Sequence, residues 1–504
     1  MKLALAPVNT TVGDLAGNIK RILDAAHKAK DADLIVFPEM VVPGYPPRDI
    51  LYDSSFVEAT ELATQDLASQ AIGLPPMLVG SFVRSGKKML NHPALHNVAY
   101  LMQNGKMQLV QVKQLLPVYD VFYEPRWFIP GTKTLPPIEI AGKKVGILIC
   151  EDMWDEQYSV HPGADLKAMG ADLLVCMSAS PYRKGGGEDR IQQAKRQGLQ
   201  IAFTNLLGGN DELIFDGGGF MLNGAGELVA KAERFKEDVM ILDTDKNTPI
   251  HSKHNTEAEV FEALVLGVRD FFHKNRQRQI VIGLSGGIDS SLAAMMAKEA
   301  VGSENITGIA IPSRFTDPRS TEAARELADK LGIKFEVIEL ESLHLAAEQA
   351  LGPQRSADKG GENIQARLRM MILMSVVNQM GGMLLNTSNK TELSLGYSTL
   401  YGDMAGALSP LGDLTKPEVY ALARRVELIP SFVMERAPSA ELREGQVDPF
   451  DYETLSPQIE ALVGADQADA AMRAAEHKRW QMGVVLKVNN RSFGSGRMMP
   501  ITRK

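Results

Sequence analysis

The sequence predicts an α/β fold built as two domains, and three observations support this prediction. Apolar runs of strand length alternate with segments of helical periodicity along most of the chain. A polar stretch, DTDKNTPIHSKHNT, interrupts this alternation at residues 243–256. The chain has 504 residues, which is enough for two large domains that each bury a core. We therefore expect domains at 1–243 and 257–504, joined by a linker at 244–256.

The first half of the chain shows the pattern of a mixed sheet with flanking helices. Apolar runs predict buried strands, and residues 18–30 place apolar side chains at helical spacing. Turns of hairpin length, such as Asn104-Gly105 and Asn223-Gly224, predict antiparallel strand pairs beside parallel ones. The predicted strands are 3–8, 33–37, 77–82, 97–102, 145–150, 173–177 and 201–204.

The second half begins a regular βαβαβ series after the polar stretch. The predicted helices are 257–274, 290–301 and 321–331, and the predicted strands are 279–284, 306–311 and 334–340. Strands and helices that alternate in this way form a doubly wound, Rossmann-like parallel sheet. The second domain is therefore predicted to have this architecture.

The composition of the chain excludes several classes of protein. No apolar run approaches the roughly 18 residues that span a bilayer, and the apolar stretch at the amino terminus is too short for a secretory signal. The formal charge of −8 gives no basic footprint for nucleic acid. Two cysteines, Cys150 and Cys176, form no disulfide framework and indicate a reducing compartment. We therefore expect a cytoplasmic protein with neither nucleic acid nor membrane as a partner.

Three side chains at strand ends have the chemistry for amide hydrolysis. Cys150 closes an apolar run where the chain turns, whereas Cys176 lies inside such a run and is typical of a small core residue. Glu39 also ends an apolar run, and Lys113 precedes another strand exit. A carboxylate can take the thiol proton, the thiolate can attack a carbonyl, and an ammonium can stabilise the oxyanion. The alternative is that Cys150 is purely structural.

The segments around these side chains resemble the nitrilase-like carbon–nitrogen hydrolase superfamily. They read FPEMVVPGY, KQLLPVYDVFYEPRWFIPG and GILICEDMW, in the order of the superfamily's motifs. The resemblance implies an αββα sandwich for the amino-terminal domain. It also implies Glu39 as general base, Lys113 as oxyanion stabiliser, Cys150 as nucleophile and a supporting role for Glu124.

A glycine-rich turn in the second half follows a predicted strand and opens a helix. Such a turn lets backbone amides crowd around an anion, and the helix amino terminus adds partial positive charge, although many tight turns are glycine-rich without binding phosphate. Its S-G-G-x-D-S pattern resembles the pyrophosphate loop of the ATP pyrophosphatase superfamily. The resemblance implies ATP binding by the turn and Mg²⁺ binding by Asp289, since Mg²⁺ favours carboxylate and phosphate oxygens. The residues of the turn are Gly283, Leu284, Ser285, Gly286, Gly287, Ile288, Asp289 and Ser290.

Three further segments resemble NAD synthetases: GENIQARLR, LLNTSNKTELSLGYSTLYGDMAGALSPLGDLTK and EHKRWQMG. Together with the amino-terminal motifs, they make the chain similar to the glutamine-dependent NAD synthetases over about 1–243 and 257–500. The resemblance implies glutamine, ATP and deamido-NAD (nicotinic acid adenine dinucleotide) as substrates and Mg²⁺ as cofactor. It further implies an internal passage for ammonia, and we expect a homo-oligomer.

The same resemblance assigns roles to residues outside the turn. Thr387, Lys416 and Ser439 match ATP-contacting positions, although a helix N-cap explains Ser439 equally well. Glu392 matches a position that binds metal or the dinucleotide. The remaining positions that face deamido-NAD are Asn363, Arg367, His477 and Lys478.

Tyr119 and Ser180 match positions that hold glutamine in the amidase, where Glu124 also belongs. The sequence departs from the family pattern six residues after Ser180, where a basic residue is usual and this chain has Gly186. Arg183 or Lys184 is therefore predicted to supply the charge for the glutamine α-carboxylate.

Two alternative functions remain open at the level of sequence. One is another amidotransferase of the ATP pyrophosphatase type, against which the dinucleotide-facing segments argue. The other is a nitrilase-type hydrolase whose second domain binds nucleotide only as a regulator. The intact Ser285, Asp289, Thr387 and Glu392 argue against the second alternative, because regulation alone does not need metal ligation.

Overall fold

The structure, a computed structural model, describes residues 1–89, 92–246, 248–250 and 256–496. The chain divides into two compact units, Met1–Asn210 with Ile214–His254, and Asp211–Leu213 with Asn255–Lys504. Residues 247 and 251–255 of the predicted linker lie outside the described residues. The boundaries of the two domains and their linker stay predictions. None of the described helices combines the length and apolar character needed to cross a bilayer.

The first unit consists of two six-stranded sheets, a small hairpin and flanking helices. Its helices are α1 (Leu15–Lys28), α2 (Ser54–Gln70), α3 (Pro162–Ala168) and α4 (Gly186–Arg196). Its strands are β1 (Lys2–Leu5), β2 (Leu34–Val36), β3 (Met77–Met89), β4 (His92–Gln103), β5 (Lys106–Val112), β6 (Ile138–Ile140), β7 (Lys143–Ile149), β8 (Leu173–Ser178), β9 (Gln200–Asn205), β10 (Leu207–Asn210), β11 (Leu213–Asp216), β12 (Phe220–Leu222), β13 (Leu228–Lys231) and β14 (Met240–Asp243). Short 3-10 turns cover Arg48–Tyr52, Glu124–Arg126, Cys150–Met153 and Asp155–Gln157.

The two large sheets pack face to face and carry helices on their outer faces. One apolar cluster joins Leu5 and Val36 of the first sheet to Ile147 and Val175 of the second. A second cluster joins the first sheet to α1 and α2, and a third joins the second sheet to α3 and α4. Side chains alternate between the faces of a strand, so each strand contributes to the central layer and to an outer layer. The expected αββα sandwich is confirmed.

The strand directions confirm a mixed sheet. The first sheet has the order β14-β1-β2-β3-β4-β5, and the second has the order β13-β12-β9-β8-β7-β6. The pairs β1–β2, β2–β3, β7–β8 and β8–β9 are parallel, whereas β4–β5 and β12–β13 are antiparallel. The last two pairs are joined at Asn104-Gly105 and after Asn223, as the turn signals predict.

The second unit contains a parallel sheet with helices packed on it. Its helices are α5 (Thr256–Lys274), α6 (Ile288–Val301), α7 (Pro318–Leu331), α8 (Glu341–Leu351), α9 (Asp358–Met380), α10 (Lys390–Leu395), α11 (Lys416–Ala423), α12 (Ser431–Glu435), α13 (Tyr452–Gly464) and α14 (Ala470–Ala475). Its strands are β15 (Ile280–Gly283), β16 (Ile306–Ala310), β17 (Lys334–Val337), β18 (Met383–Leu384), β19 (Leu408–Ser409) and β20 (Val484–Val485). Short 3-10 turns cover Ser303–Asn305 and Glu476–Gln481.

The sheet order β17-β16-β15-β18 confirms the predicted Rossmann-like architecture. All three strand pairs are parallel. Val281 and Ile309 of the two central strands pack against Ile372 and Leu373 of α9. The turn between β15 and α6 therefore lies at the carboxyl edge of the sheet, where ligands bind in folds of this kind.

Candidate active sites

Lys113 is buried between two carboxylates in the first unit. Its Nζ lies 2.7 Å from Oε1 of Glu39 and 2.8 and 2.7 Å from Oε1 and Oε2 of Glu124. The Lys113 and Glu39 side chains have no exposed surface, and Glu124 is 4% exposed. Burial of three charged groups is costly unless they pair with one another. Each of the three side chains is therefore needed to compensate the charge of the others.

Both carboxylates of the cluster also accept hydrogen bonds from other residues. Asn97 Nδ2 donates to Glu39 Oε1 at 2.7 Å, and the Ala179 N–H donates to Glu39 Oε2 at 3.0 Å. The Tyr45 hydroxyl donates to Glu124 Oε1 at 3.0 Å. Both Glu39 oxygens are thus oriented by donors, which leaves the carboxylate little rotational freedom.

Cys150 follows β7 directly and turns the chain there. Its φ is +48°, in the left-handed region, which is uncommon for a residue with a Cβ. Ile149 pairs with Met177 in the parallel β7–β8 ladder, so Cys150 and Ser178 extend neighbouring strands. The Ser178 hydroxyl donates to Cys150 Sγ at 3.3 Å. The thiol is therefore presented at a strand end next to a hydrogen-bond donor, and it is 6% exposed.

Electrostatics in the cluster oppose free ionisation of the thiol. Burial raises the pKa of Cys150 well above its usual range, with a further increase from the charge of Glu39, while Lys113 and Ser178 act in the opposite direction. Burial lowers the pKa of Lys113, but Glu124 and Glu39 outweigh it and raise the pKa overall. Burial also raises the pKa of Glu124 to about 7, with a further increase from the charge of Glu39 and an opposite effect from Lys113. The thiol therefore needs a nearby base for deprotonation.

A tyrosine pair holds Glu151, the residue after the thiol. The Tyr119 hydroxyl donates to Glu151 Oε2 at 2.9 Å, and the Tyr158 hydroxyl donates to Oε1 at 3.0 Å. Burial raises the pKa of Glu151. Tyr119, which is predicted to hold glutamine, is 46% exposed.

Ser180 sits in a polar network that the sequence did not predict. Arg190 Nε donates to Ser180 Oγ at 3.2 Å, and Arg190 Nη1 contacts both oxygens of Asp216 at 2.8 Å. Asn205 Oδ1 accepts from the Ser180 N–H at 2.8 Å, and Arg234 Nε lies 3.4 Å from Asp216 Oδ2. The arginine and carboxylate at the centre of this network are almost fully buried, so they fix the backbone at Ser180.

The two basic candidates for the glutamine carboxylate lie just before α4. Arg183 pairs with Asp189 of α4, and Lys184 is in the turn that precedes the helix. A Cβ placed on Gly186, the first residue of α4, would lie 2.8 Å from Cγ of Arg183. The Arg183 side chain thus passes beside the position where the family usually carries its basic residue.

The glycine-rich turn of the second unit lines a cavity of about 310 Å³. The predicted ATP residues that line it are Gly283, Leu284, Ser285, Gly287, Ile288, Asp289, Ser290, Thr387, Lys416 and Ser439, and Glu392 lies there as well. Gly286 instead packs behind the turn. Its φ is +75°, and a Cβ there would lie 2.1 Å from the carbonyl oxygen of Ser320. Position 286 therefore requires glycine for both its backbone conformation and its contact.

Lys416 bridges the two carboxylates that the sequence predicts as metal ligands. Its Nζ lies 2.5 Å from Asp289 Oδ2 and 3.3 Å from Glu392 Oε1. Burial raises the pKa of Glu392 to about 7, against the opposite effect of Lys416. Among the described residues, no group of three or more His, Cys, Asp or Glu side chains is arranged to hold a metal. Mg²⁺ commonly uses one or two carboxylates and completes its shell with phosphates and water, so the Asp289–Glu392 pair fits Mg²⁺ bound together with a nucleotide.

Three of the residues predicted to face deamido-NAD converge on the segment after α10. Asn363 Oδ1 accepts from the Thr399 hydroxyl at 2.8 Å, and Arg367 Nε donates to the Leu400 carbonyl at 3.1 Å. Lys478 Nζ donates to the carbonyls of Gly396 and Ser398 at 2.8 and 2.6 Å. These three side chains therefore lie together around residues 396–400.

His477, which is also predicted to face deamido-NAD, is exposed, and its Nδ1 lies 2.9 Å from the carbonyl oxygen of Ala474. This contact lies within its own segment, apart from the contacts around residues 396–400.

The alternative interpretation of Ser439 as a helix N-cap is wrong. No helix begins there, since the residues between Arg436 and Asp451 are irregular and α13 starts at Tyr452. The hydroxyl donates to the Gln446 carbonyl at 2.5 Å and accepts from the Glu441 N–H at 3.1 Å. These two hydrogen bonds close a turn at the wall of the cavity.

Comparison with known proteins shows the family of each half of the chain. Residues 2–249 match the carbon-nitrogen hydrolase family model, and residues 260–493 match the NAD synthase model. The chain is 37% identical to a glutamine-dependent NAD(+) synthetase from Synechocystis, with 99% of this chain and 98% of the relative covered. A relative of the same name from Thermotoga maritima is 34% identical, with 100% and 99% covered. The chain belongs to the glutamine-dependent NAD(+) synthetases.

Solved structures agree with this family membership. One is the structure of a glutamine-dependent NAD⁺ synthetase from Acinetobacter baumannii in complex with adenosine diphosphate. It has a TM-score of 0.80 and 32% sequence identity, and the match covers 99% of this chain and 98% of that chain. A second synthetase, from Cytophaga hutchinsonii, has the same TM-score at 22% identity and supports the fold. The chain is thus a ligase-class enzyme, and the full-length match argues against both alternative functions.

Several residues of this synthetase's sites were missed at the level of sequence. Asn97 is a polar side chain within a predicted apolar strand, which is a usable signal for a special role. Ser178 lies at a strand end, the same criterion that singled out Cys150. Arg190, Arg369 and Arg436 gave no local signal, and Arg369 and Arg436 line the cavity of the second unit.

Proposed function

We propose that the first unit hydrolyses glutamine at Cys150 and that the second unit uses the ammonia to amidate deamido-NAD. ATP gives AMP and pyrophosphate in the second reaction. The observation that carries this proposal is the buried cluster of Glu39, Lys113 and Glu124 beside the thiol. A buried ammonium that is shared by two carboxylates next to a nucleophile is costly to maintain, and amide hydrolysis uses each of its charges.

In the proposed amidase reaction, Glu39 accepts the proton of Cys150 as Sγ attacks Cδ of the glutamine amide. The raised pKa of Cys150 supports this order, because proton loss and attack then occur together instead of through a stable thiolate. Lys113 stabilises the oxyanion of the tetrahedral intermediate. Glu39 returns the proton to the departing nitrogen, ammonia leaves, and a γ-glutamyl thioester remains.

Hydrolysis of the thioester uses the same groups. Glu39 takes a proton from water as the water oxygen attacks the thioester carbonyl, and the proton then returns to Sγ as glutamate leaves. Glu124 holds Lys113 in place through contacts of 2.7 and 2.8 Å. Glutamine itself is proposed to be held by Tyr119 and Ser180 and through its α-carboxylate by Arg183 or Lys184.

In the proposed synthetase reaction, the carboxylate of deamido-NAD attacks the α-phosphorus of ATP and pyrophosphate leaves. Ammonia then attacks the adenylate carbonyl, AMP leaves, and the nitrogen loses a proton. The turn from Gly283 to Ser290 supports phosphate binding, because it joins a strand end to a helix amino terminus. Thr387, Lys416 and Ser439 complete the ATP site.

Mg²⁺ is proposed to be held by Asp289 and Glu392. When bound, it neutralises phosphate charge and so favours departure of pyrophosphate. Deamido-NAD is assigned to Asn363, Arg367, His477 and Lys478, with Glu392 at the border of the two sites. The contacts of Asn363, Arg367 and Lys478 around residues 396–400 support a common binding surface for three of these residues.

Three further proposals follow from the sequence. The domain boundaries are proposed at 1–243 and 257–504, with the linker at 244–256. A cytoplasmic location is proposed because Cys150 and Cys176 are both free thiols. A homo-oligomer is proposed, which sedimentation velocity of the purified protein would test.

The division of labour is tested with Cys150→Ala. This variant should lose synthesis of NAD and release of pyrophosphate with glutamine as donor, but should keep both with a high concentration of ammonium. Cys176→Ala is the matched control, since that thiol is buried in the core, and it should retain both reactions. Loss of the ammonium reaction in folded Cys150→Ala protein would contradict the proposal.

A further inference from the structure

Lys416 occupies the space between the two carboxylates proposed to hold Mg²⁺. Its Nζ contacts Asp289 Oδ2 at 2.5 Å and Glu392 Oε1 at 3.3 Å, and the side chain is 5% exposed. The ammonium lies 5.6 Å from the centre of the Tyr452 ring. A cation is therefore already present at this wall of the cavity, and it belongs to the protein.

All three groups are held in place by the starts of helices. Lys416 is the first residue of α11, and Asp289 lies in the first turn of α6. Glu392 is fixed by a capping box at the start of α10, in which its Oε2 accepts from the Asn389 N–H at 3.3 Å. Asn389 Nδ2 also donates to Asp289 Oδ1 at 2.9 Å. The other oxygen of each carboxylate, Oδ2 and Oε1, is the one that contacts Lys416.

A divalent cation held by Asp289 and Glu392 would draw on the same two oxygens, because Asn389 already donates to the other oxygen of each carboxylate. An ammonium and Mg²⁺ cannot both sit at that position, because like charges at such a distance repel strongly in a buried site. If the Lys416 ammonium left the two carboxylates without another anion to contact, its charge would be buried and unpaired, which is costly. The ammonium therefore needs a new anionic partner before the metal can enter, and the phosphates of a bound nucleotide would supply one.

We propose that, without nucleotide, Lys416 holds the cation position between Asp289 and Glu392 and yields it only to Mg²⁺ that arrives with the phosphates of ATP. This inference rests on the proposed assignment of Asp289 and Glu392 as metal ligands. Lys416 is then a positioning residue that couples metal binding to nucleotide binding. Without nucleotide, the enzyme is thereby kept from binding free divalent cations at this site.

The test measures metal binding without turnover, using Mn²⁺ as a spectroscopic substitute for Mg²⁺ and the full chain. Mn²⁺ is titrated into the parent and into Lys416→Met, with free Mn²⁺ followed by electron paramagnetic resonance in the absence of nucleotide. Lys416→Met should bind Mn²⁺ at least about tenfold more tightly than the parent, which corresponds to about 1.4 kcal/mol. With a β,γ-imido analogue of ATP present, the parent should gain a Mn²⁺ site, and Lys416→Met should bind the analogue more weakly than the parent.

Two controls locate the effect. Lys298→Met removes one positive charge from α6, the helix that carries Asp289, and should leave Mn²⁺ binding unchanged, since Lys298 pairs with Glu299. Adding Asp289→Asn to Lys416→Met should abolish the gained site. Lys416→Gln should behave like Lys416→Met, and it replaces that variant if the methionine variant does not fold.

Equal Mn²⁺ affinity of the parent and the folded Lys416 variants without nucleotide would overturn the proposal. A gained site that survives Asp289→Asn would overturn it as well. Failure of the proposed function has a different signature, which is the absence of pyrophosphate release from ATP and deamido-NAD with ammonium as donor. The two failures are therefore distinguishable.

Discussion

Ser178 donates a hydrogen bond of 3.3 Å to the thiol of Cys150, from the end of the neighbouring parallel strand. The next residue along the chain, Ala179, donates its N–H to Glu39 at 3.0 Å. One strand end thus orients the proposed nucleophile and the proposed base together. Two adjacent residues therefore contact both groups, although the thiol follows a strand of one sheet and the carboxylate follows a strand of the other.

Ser178→Ala should slow reaction at Cys150 because the hydrogen bond from Ser178 lowers the pKa of the thiol. We expect the rate of alkylation by iodoacetamide at fixed pH to fall by about two- to tenfold, the effect of one hydrogen bond of about 0.5–1.5 kcal/mol. The measurement is mass spectrometry of the modified peptide over time. Cys176→Ala should leave that rate unchanged, and an unaltered rate in Ser178→Ala would show that the hydroxyl has no influence on the thiol.

Glu124→Gln should change how stability depends on pH. Burial raises the pKa of Glu124 to about 7, so the stability that depends on its protonated form is fully present below its usual pKa and is lost as the pH rises through about 7. The free energy of unfolding in urea should therefore fall less steeply for the variant than for the parent between about pH 5 and about pH 8. Parallel pH profiles for the two proteins would argue against a raised pKa.

Asp289→Asn should strongly reduce pyrophosphate release with either nitrogen donor. The substitution removes the charge that pairs with Lys416 and that is proposed to bind the metal. Formation of the thioester at Cys150 should persist, as measured by trapping with hydroxylamine after addition of glutamine. Normal magnesium dependence in this variant would assign the metal to other residues, with Glu392 first among them.

Gly286→Ala should disable the second unit selectively. The new Cβ would meet the Ser320 carbonyl oxygen at 2.1 Å, and the positive φ adds a cost of about 1–3 kcal/mol. We expect loss of pyrophosphate release with ammonium and retention of glutamine hydrolysis. Gly352→Ala is a matched control, because its φ is +76° but a Cβ there has open space, so it isolates the backbone strain from the clash. Full activity in Gly286→Ala would refute the need for close packing behind the turn.

Arg183→Ala should raise the KM for glutamine by about tenfold or more, the effect of losing a charge-assisted hydrogen bond of about 1.5–3 kcal/mol. Lys184→Ala tests the second candidate in the same way, and the ammonium reaction should be unchanged in both. Gly186→Lys should lower this KM in the parent, with Arg183 moving aside because a Cβ at 186 lies 2.8 Å from its Cγ. Parent-like KM values in both alanine variants would place the carboxylate anchor elsewhere.

Local patterns in the sequence predicted the mixed sheet of the first unit and the parallel sheet of the second, whereas the αββα sandwich was implied by the family resemblance. The predicted helix 257–274 corresponds to α5, and the predicted strand 306–311 corresponds to β16 within one residue. Periodicity and glycine-rich turns act over short segments, so they can be detected without knowledge of tertiary contacts. The ends of strands were predicted less accurately. The predicted strand 334–340, for example, corresponds to a strand that ends at Val337.

The partners of the site residues were beyond the reach of the sequence. Lys416 and Asp289 are 127 residues apart in the chain, and Lys113 and Glu39 are 74 apart. A family motif marks each of these residues but does not say which of their charges are in contact. The network of Arg190 with Asp216 likewise depends on a fold-level contact between α4 and β11 that no local pattern encodes.

The left-handed backbone at Cys150 limits which nucleophiles this fold can accept. A side chain branched at Cβ is strongly disfavoured at a φ of +48°, so threonine is excluded at this position although its hydroxyl could serve as a nucleophile. Serine remains compatible, since it has the same shape at Cβ as cysteine. Descendants of this amidase could therefore exchange sulfur for oxygen by one substitution, but a threonine-based hydrolase would require the strand end to be rebuilt.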